Sequence, residues 1–501
     1  MATSANEATA TAAMRFWLIA AAVTLARVAV LVLSEAELGP DEAQYWYWSE
    51  HFAFGYFSKP PLIAWAIGFS TSIFGNAEWA VRLPAPLFHF GAAAFIYLLG
   101  KRAFGENVGF WAGVTWLALP GVALSSFIMA TDSPLLLFWT SALYVLFLLY
   151  EKRDQEGAHA ILFATLGALV GLGLLAKYAM IYFPIALAIT LIIAPEARHA
   201  YLRPALALSA VISAALIAPN ILWNVEHDFQ TFAHTADNAN WATSLFHPGK
   251  FAEFFGAQFL IFGLIPAVAF VWFLARPART AFGAPGAAFE RLLLAFALTP
   301  ILIVMAQAFI SRAHANWAAS GYPAALILVT AWAFRLRRAW IPKASVALNG
   351  VAAAAFCAAV INFTIPDQFG LTRAVSDIRG WRDQTDQIAA KAEGFDAIVI
   401  DDRYLISEAL YYQRNSGFEI VAIDSNQHIN SHFEAFLTFD PDRHRRVLFV
   451  SILEDDAHVN YRFRNITPLG PAAVAFGGVK RSFEMFDISD YHWPNAPPST
   501  P

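Results

Sequence analysis

Charge is what this sequence has least of. Only 14% of its 501 residues are Asp, Glu, Lys or Arg, while 58% are hydrophobic. An ordinary soluble protein carries about 25% charged residues. A chain this long with so few charges cannot cover a water-soluble globule, and 44 Phe and 16 Trp deepen the shortfall. The same composition excludes intrinsic disorder, which needs low hydrophobicity and high charge. Cys357 is the only cysteine, so a disulfide-built secreted domain is excluded. The net charge of −5 carries no polybasic signal, so no nucleic acid partner is expected. What remains is a polytopic α-helical membrane protein with a soluble part.

A spanning helix needs roughly 20 mostly apolar residues. Apolar runs lie at 14–33, 82–100, 107–124, 133–150, 160–176, 180–194, 204–222, 253–274, 290–308, 317–334 and 344–363, which makes about eleven spans. The first is longer than a signal-peptide core and lacks a small-residue cleavage site, so it reads as a retained anchor. Lys and Arg collect on the cytoplasmic side of a membrane. With the N-terminus inside, the inner loops hold Lys101, Arg102, Lys152, Arg153, Arg198, Arg203, Arg276, Arg279, Arg335, Arg337, Arg338 and Lys343. The outer side between the spans holds only Lys59, Arg82, Lys177, Lys250 and Arg312.

Residues 1–365 thus read as a transmembrane domain. From 366 the composition turns polar, and four strand-like runs recur at Ala397–Ile400, Glu419–Ile423, Arg446–Ser451 and Ala473–Phe476. Helical patterns at Asp383–Glu393 and Ser407–Arg414 lie between some of them. Residues 366–490 read as a small α/β domain, placed on the outer, periplasmic side by an odd number of spans. Residues 491–501 read as a disordered tail, Pro-rich from Trp493 to Pro501.

The unusual polar residues gather at the outer ends of these spans, and ionisable groups at membrane depth mark function. The first outer loop, ELGPDEAQYWYWSEHFAFGYFSKPPLIAWAIGFSTSIFG, is far longer than a turn between spans requires. Pro40 is suited to start a helix with Asp41 and Glu42 in its first turn, and Tyr45, Trp46 and Trp48 suit the headgroup level. An in-plane helix is the expectation. The two carboxylates equally fit simple complementation of a helix dipole. Lys59 precedes Pro60, Pro61 and an apolar helix. An ammonium beside a helix N-terminus attracts phosphate, although a snorkelling lysine fits the same position. Asp132, in TDSP, opens the fourth span, where helix capping is the plain alternative. Lys177, then Asn224, His227 and Asp228 in WNVEHDFQ, and Arg312, His314, Asn316 and Trp317 in SRAHANW complete the set. Arg and His suit planar, hydrogen-bonded contacts to phosphate. No ligand spacing specific to a metal is present, so no metal site is assigned and no cofactor is required.

Together, carboxylates, cations and an aromatic belt at one face fit group transfer from a lipid phosphate. A transporter of lipid-linked sugars places polar groups near the midplane on broken helices, and the mid-span segments here are almost free of charge. A polytopic scaffold gives no reason for the cluster.

DEAQYWYW followed by GYFSKPPLIAW resembles the membrane glycosyltransferases of the GT-C class. The similarity is to the bacterial branch related to dolichyl-phosphate-mannose protein mannosyltransferases and the lipid A aminoarabinose transferase. TDSPLLLFW, PNILWNVEHDFQTFAH and RAHANWAASGYP resemble further family segments, so the similarity covers roughly residues 14–335. The resemblance implies an inverting transfer of a sugar from a polyprenyl-phosphate donor to an envelope acceptor at the outer face of the inner membrane. Lipid A or lipopolysaccharide core is preferred as acceptor over protein or another glycan. It implies that Asp41 is the catalytic base, with Glu42 beside it and Asp132 assisting. Lys59, with Tyr56, Arg312 and His314, would hold the donor phosphate, and Lys177, Asn224, His227, Asp228, Asn316 and Trp317 would contact acceptor or sugar. The aminoarabinose transferases carry Glu before that lysine, where this chain has Ser58. The departure removes a contact or metal ligand that Glu would supply. A divalent metal is compatible with this chemistry but not required, because cations alone can stabilise a phosphate leaving group.

Overall fold

A computed structural model describes residues 2–155, 159–239, 246–276, 287–424, 429–452 and 463–491. The tail expected from Trp493 to Pro501 and the inner-loop Arg279 lie outside the described residues. The chain packs as two units: Met1–Val32 with Ala53–Cys357, and Leu33–Phe52 with Ala358–Pro501. The second unit therefore takes in the first half of the long loop as well as the polar C-terminal segment.

The first unit is a bundle of apolar helices. Among the described residues, eight helices are long and apolar enough to cross a membrane, or up to eleven if each of three bent pairs counts as one. Two of the bent pairs fall inside runs read above as single spans, 107–124 and 253–274, and the other breaks at the end of the run 180–194. Glu106–Ala118 meets Pro120–Phe127 at 56°, Tyr178–Ile193 meets Pro195–Tyr201 at 114°, and Pro248–Ile261 meets Leu264–Leu274 at 115°. Each break has a local cause. Pro120 and Pro195 lack the N–H that would continue the helix before them. Gly263 holds a φ of +83° with the Asn349 amide against it, where a Cβ would lie 2.6 Å from Nδ2, so only glycine fits.

A carbonyl released at such a break must be paired when no water is near. Arg27, 8% exposed in the first helix, does this at the Pro120 break. Its Nη2 donates to the Leu117 carbonyl at 2.5 Å and its Nη1 to Ser126 Oγ at 2.9 Å. Elsewhere the bundle closes on aromatic contacts. Trp139, Phe183 and Phe296 meet edge-on with centroids 4.7–5.8 Å apart, the arrangement that ring quadrupoles favour.

The second unit is built on a five-stranded sheet of order β2-β1-β3-β5-β4. The strands are β1 (Ala397–Ile400), β2 (Ile420–Ala422), β3 (Arg446–Ser451), β4 (Phe463–Phe476) and β5 (Val479–Tyr491). β2, β1 and β3 run parallel, while β5 is antiparallel to β3 and to β4. Alternate side chains enter opposite layers: Ile398 and Ile400 pack with Leu405, Ile406 and Ala409 of the Arg403–Tyr412 helix, and Ala397 and Val399 pack with Phe439 and Phe463. The reading of four strands is corrected to five. β5 was missed and only the end of β4 was seen, because charged residues punctuate VKRSFEMFDISDY and hide the alternation of Phe483 and Met485 on one face with Phe486 and Ile488 on the other. The helix expected from Pro40 is present as Pro40–Glu50. It lies along Arg403–Tyr412, where Trp46 meets Tyr411 edge-on at 4.9 Å and the Leu38 N–H donates to the Tyr412 hydroxyl at 3.0 Å.

His432 is buried beside the same helix, its ring 5.5 Å from Trp48 and 5.9 Å from Tyr47. Burial, aided by His51, pushes its pKa from 6.5 down to about 3. The fold keeps the ring neutral while the unfolded chain takes up a proton near pH 6.5. Stability from this group is therefore complete above that pH and declines below it, by up to about 1.4 kcal/mol per unit. His432→Leu should accordingly gain roughly 2 kcal/mol relative to wild type between pH 7 and pH 5 in detergent unfolding. A difference independent of pH would show that the ring is protonated within the fold.

Candidate active site

Gly39 is the N-cap of the Pro40–Glu50 helix, and Pro40 brings its preset φ to the first helical position. Asp41 and Glu42 then occupy the first turn, where a carboxylate suits the helix dipole. Their environments separate them. Glu42 is 1% exposed, and its Oε2 accepts the Gly39 N–H at 3.1 Å, so it behaves as the helix-start carboxylate. The Asp41 side chain is 61% exposed, and its Oδ1 accepts Arg403 Nη1 at 3.0 Å. The same Nη1 donates to Gln44 Oε1 at 3.0 Å. Burial works against the Arg403 charge, yet Asp41 and Tyr404 hold its pKa above the ordinary arginine value.

In the first unit, the segment that carries Lys59 is tied down at three of its backbone carbonyls. Trp65 Nε1 donates to the Ala53 carbonyl at 2.9 Å, Asn220 Nδ2 to Phe54 at 2.8 Å, and Thr231 Oγ1 to Tyr56 at 2.7 Å. Buried carbonyls need such partners. The Lys59 carbonyl accepts the Tyr56 N–H at 3.2 Å, closing a turn, and Lys59 is half-buried just before the Leu62–Phe74 helix. Gly55 lies against Trp223 and Asn220, so closely that a Cβ would collide with the indole. Tyr56 is 2% exposed, and burial pushes its phenol up to about 12. It stays protonated at neutral pH and can donate a hydrogen bond.

Asp132 opens the Asp132–Glu151 helix but does not act as the N-cap, which is Thr131. Its carboxylate, 6% exposed, is taken up by two other residues singled out in the sequence. Lys177 Nζ donates to Oδ1 at 2.8 Å and Asn316 Nδ2 to Oδ2 at 2.8 Å. Three elements distant in sequence thus meet on one charge. Next to Lys177, the Tyr178 hydroxyl donates to Asn220 Oδ1 at 2.8 Å, and that residue's amide holds Phe54.

The remaining candidates are placed more loosely. Asn224 is fully buried and donates to the Asn220 carbonyl at 3.0 Å. His227 stacks on Trp223 at 4.1 Å, with Nδ1 2.7 Å from the Trp223 carbonyl. Asp228 is exposed at a φ of +52°. Arg312 and His314 are exposed, and the His314 ring lies 5.2 Å from that of Trp317. Among the described residues, no three His, Cys, Asp or Glu side chains are grouped to hold a metal ion.

Residues 58–223 match the family described as dolichyl-phosphate-mannose-protein mannosyltransferase. Over 440 residues the chain is 34% identical to the lipid A galacturonosyltransferase RgtD of Rhizobium johnstonii, spanning 87% of this chain and 90% of that protein. The chain belongs to the GT-C membrane glycosyltransferases. The fold of this glycosyltransferase is similar to that of ArnT from Cupriavidus metallidurans. The structure bound to undecaprenyl phosphate superposes with a TM-score of 0.64 at 16% identity, covering 94% of this chain and 97% of that one. The apo structure gives 0.63 at 15% identity, covering 95% and 98%. The chain also shares 26% identity over 211 residues, 41% of each protein, with the lipopolysaccharide core galacturonosyltransferase RgtA of the same Rhizobium.

Within the glycosyltransferase, sequence reasoning missed Arg403 and Gln44. Arg403 lies 362 positions from Asp41, and no local pattern links them. Asn220 and Thr231 were missed as supports of the Lys59 segment. Their signal was present, since an Asn inside an apolar run needs a partner.

Proposed function

We propose that the protein transfers a galacturonosyl group from a polyprenyl-phosphate carrier to lipid A, at the outer face of the inner membrane. Asp41 takes the proton from the acceptor hydroxyl. The hydroxyl oxygen attacks the anomeric carbon, and the bond from that carbon to the phosphate oxygen breaks. The electron pair leaves with the polyprenyl phosphate, and the sugar inverts. Lys59 and Arg312 stabilise the charge growing on the phosphate, with Tyr56 and His314 as hydrogen-bonding partners. The Lys177–Asp132–Asn316 set orients the acceptor or sugar.

One observation carries the choice of base. Two adjacent carboxylates open the Pro40–Glu50 helix, and only Asp41 is exposed, since Glu42 is sealed against the helix start. The sugar and acceptor rest on the 34% identity to a lipid A galacturonosyltransferase. The outer placement rests on the reading of about eleven spans with the N-terminus inside and on the distribution of Lys and Arg.

Mass spectrometry of lipid A and polyprenyl phosphates from cells with and without the gene tests this reading. Lipid A should lose a hexuronic acid while the carrier-linked sugar accumulates. Unchanged lipid A with sugar lost from glycoprotein would transfer the assignment to a protein acceptor. Loss of the sugar from lipid A with the carrier-linked sugar retained on the inner leaflet would favour transport over transfer.

A further inference from the structure

The bond between Arg403 and Asp41 gives the C-terminal α/β unit a part in the chemistry. We propose that Arg403 is a positioning residue that holds the Asp41 carboxylate in one orientation for proton transfer. The inference rests on the assignment of Asp41 as the base.

A carboxylate on the exposed first turn of a helix has free rotation about two bonds, and each unproductive rotamer lowers the fraction of time it faces a substrate hydroxyl. Arg403 removes that freedom at one oxygen only. Its Nη1 holds Oδ1 at 3.0 Å. Among the described residues Oδ2 accepts no hydrogen bond, which leaves it to take the proton. The guanidinium is itself anchored. The same Nη1 reaches Gln44 Oε1 at 3.0 Å, one turn along the helix that carries Asp41, and Gln44 is 2% exposed. The guanidinium carbon Cζ lies over the Tyr404 ring, 4.7 Å from its centroid.

The backbone that presents Arg403 is equally fixed. β1 ends at Ile400, and Asp402 caps the next helix by accepting the Leu405 N–H at 2.7 Å. Arg403 is thus the first helical residue beyond the carboxyl end of a buried parallel strand. The two helices are pinned further along by Trp46 on Tyr411. Buried aromatic packing, not the ion pair, sets the distance between the side chains. An ion pair this exposed contributes little to stability, so its geometry is better explained by what it does to Asp41.

The test is turnover of the full-length protein in detergent, with a polyprenyl-phosphate-linked hexuronic acid as donor and lipid A as acceptor. Arg403→Gln should lower kcat about 10- to 100-fold, the size expected for a misplaced catalytic group, with the donor KM within about twofold of wild type. Arg403→Lys keeps the charge without the planar fork and should recover part of the loss. That recovery also separates positioning from misfolding. A raised donor KM at unchanged kcat would make Arg403 a substrate contact and overturn the proposal. Wild-type turnover by Arg403→Gln, with Asp41→Asn inactive, would overturn it and leave the base assignment standing. Wild-type turnover by Asp41→Asn would remove the base assignment and this inference together.

Discussion

Asp41→Asn is expected to lower sugar transfer by roughly 10²- to 10⁴-fold, the range a positioned general base contributes, while donor binding persists. The substitution is isosteric. The amide oxygen of Asn can still accept Arg403 Nη1, which now reaches Oδ1 at 3.0 Å. What disappears is the ability to take a proton. Single-turnover rates with bound donor measure the chemical step, and retention of labelled donor measures binding. Glu42→Gln is the internal control. Glu42 accepts the Gly39 N–H at 3.1 Å and is 1% exposed; a Gln oxygen can make the same bond, so turnover should stay close to wild type. A large fall from Glu42→Gln with none from Asp41→Asn would exchange the roles of the two residues.

The second large effect is on stability. Asp132→Leu should destabilise the first unit by about 3–5 kcal/mol, the cost of leaving one member of a buried ion pair alone. Asp132 is 6% exposed, and its two oxygens receive Lys177 and Asn316, each at 2.8 Å. Removing the carboxylate strands an ammonium whose side chain is only 21% exposed. Asp132→Asn should cost less, since it keeps an acceptor for Lys177. The double change Asp132→Leu with Lys177→Met should recover most of the loss, because an apolar pair of similar volume replaces a desolvated ionic one. Equilibrium unfolding in detergent reads all three variants. A loss below about 1 kcal/mol for Asp132→Leu would mean that the pair is solvated.

These two sites differ in how far they could be read from the sequence. The Pro40 helix was legible because proline, two carboxylates and an aromatic belt are local signals within one turn of each other. The apolar runs likewise located the long helices, since hydropathy is summed over neighbours. Bends were not legible as bends. A run such as 253–274 is as apolar as a straight span, and the close approach of Asn349 to Gly263 comes from another helix. Asp132, Lys177 and Asn316 were each singled out alone. That they share one charge depends on how three helices pack, which periodicity along a single chain does not encode. Arg403 is the clearest case, since its meaning comes entirely from a side chain 362 positions away. β5 was hidden for another reason: with its alternation broken by charges, a strand at the half-exposed side of a sheet looks like loop.

The second unit joins Leu33–Phe52 to Ala358–Pro501, and this has a consequence for biosynthesis. A ribosome makes the Pro40–Glu50 helix early, but Tyr411, Tyr412 and Arg403, on which it rests, come more than three hundred residues later. At roughly 5–20 residues per second, that helix waits for tens of seconds with Trp46 and Trp48 lacking the surfaces that finally bury them. Tryptophans prefer a membrane interface over water, so the bilayer surface is a natural holding place for this segment until the last quarter of the chain arrives. A nascent chain stopped before Arg403 would therefore carry Asp41 without the guanidinium that its Oδ1 accepts in the folded protein.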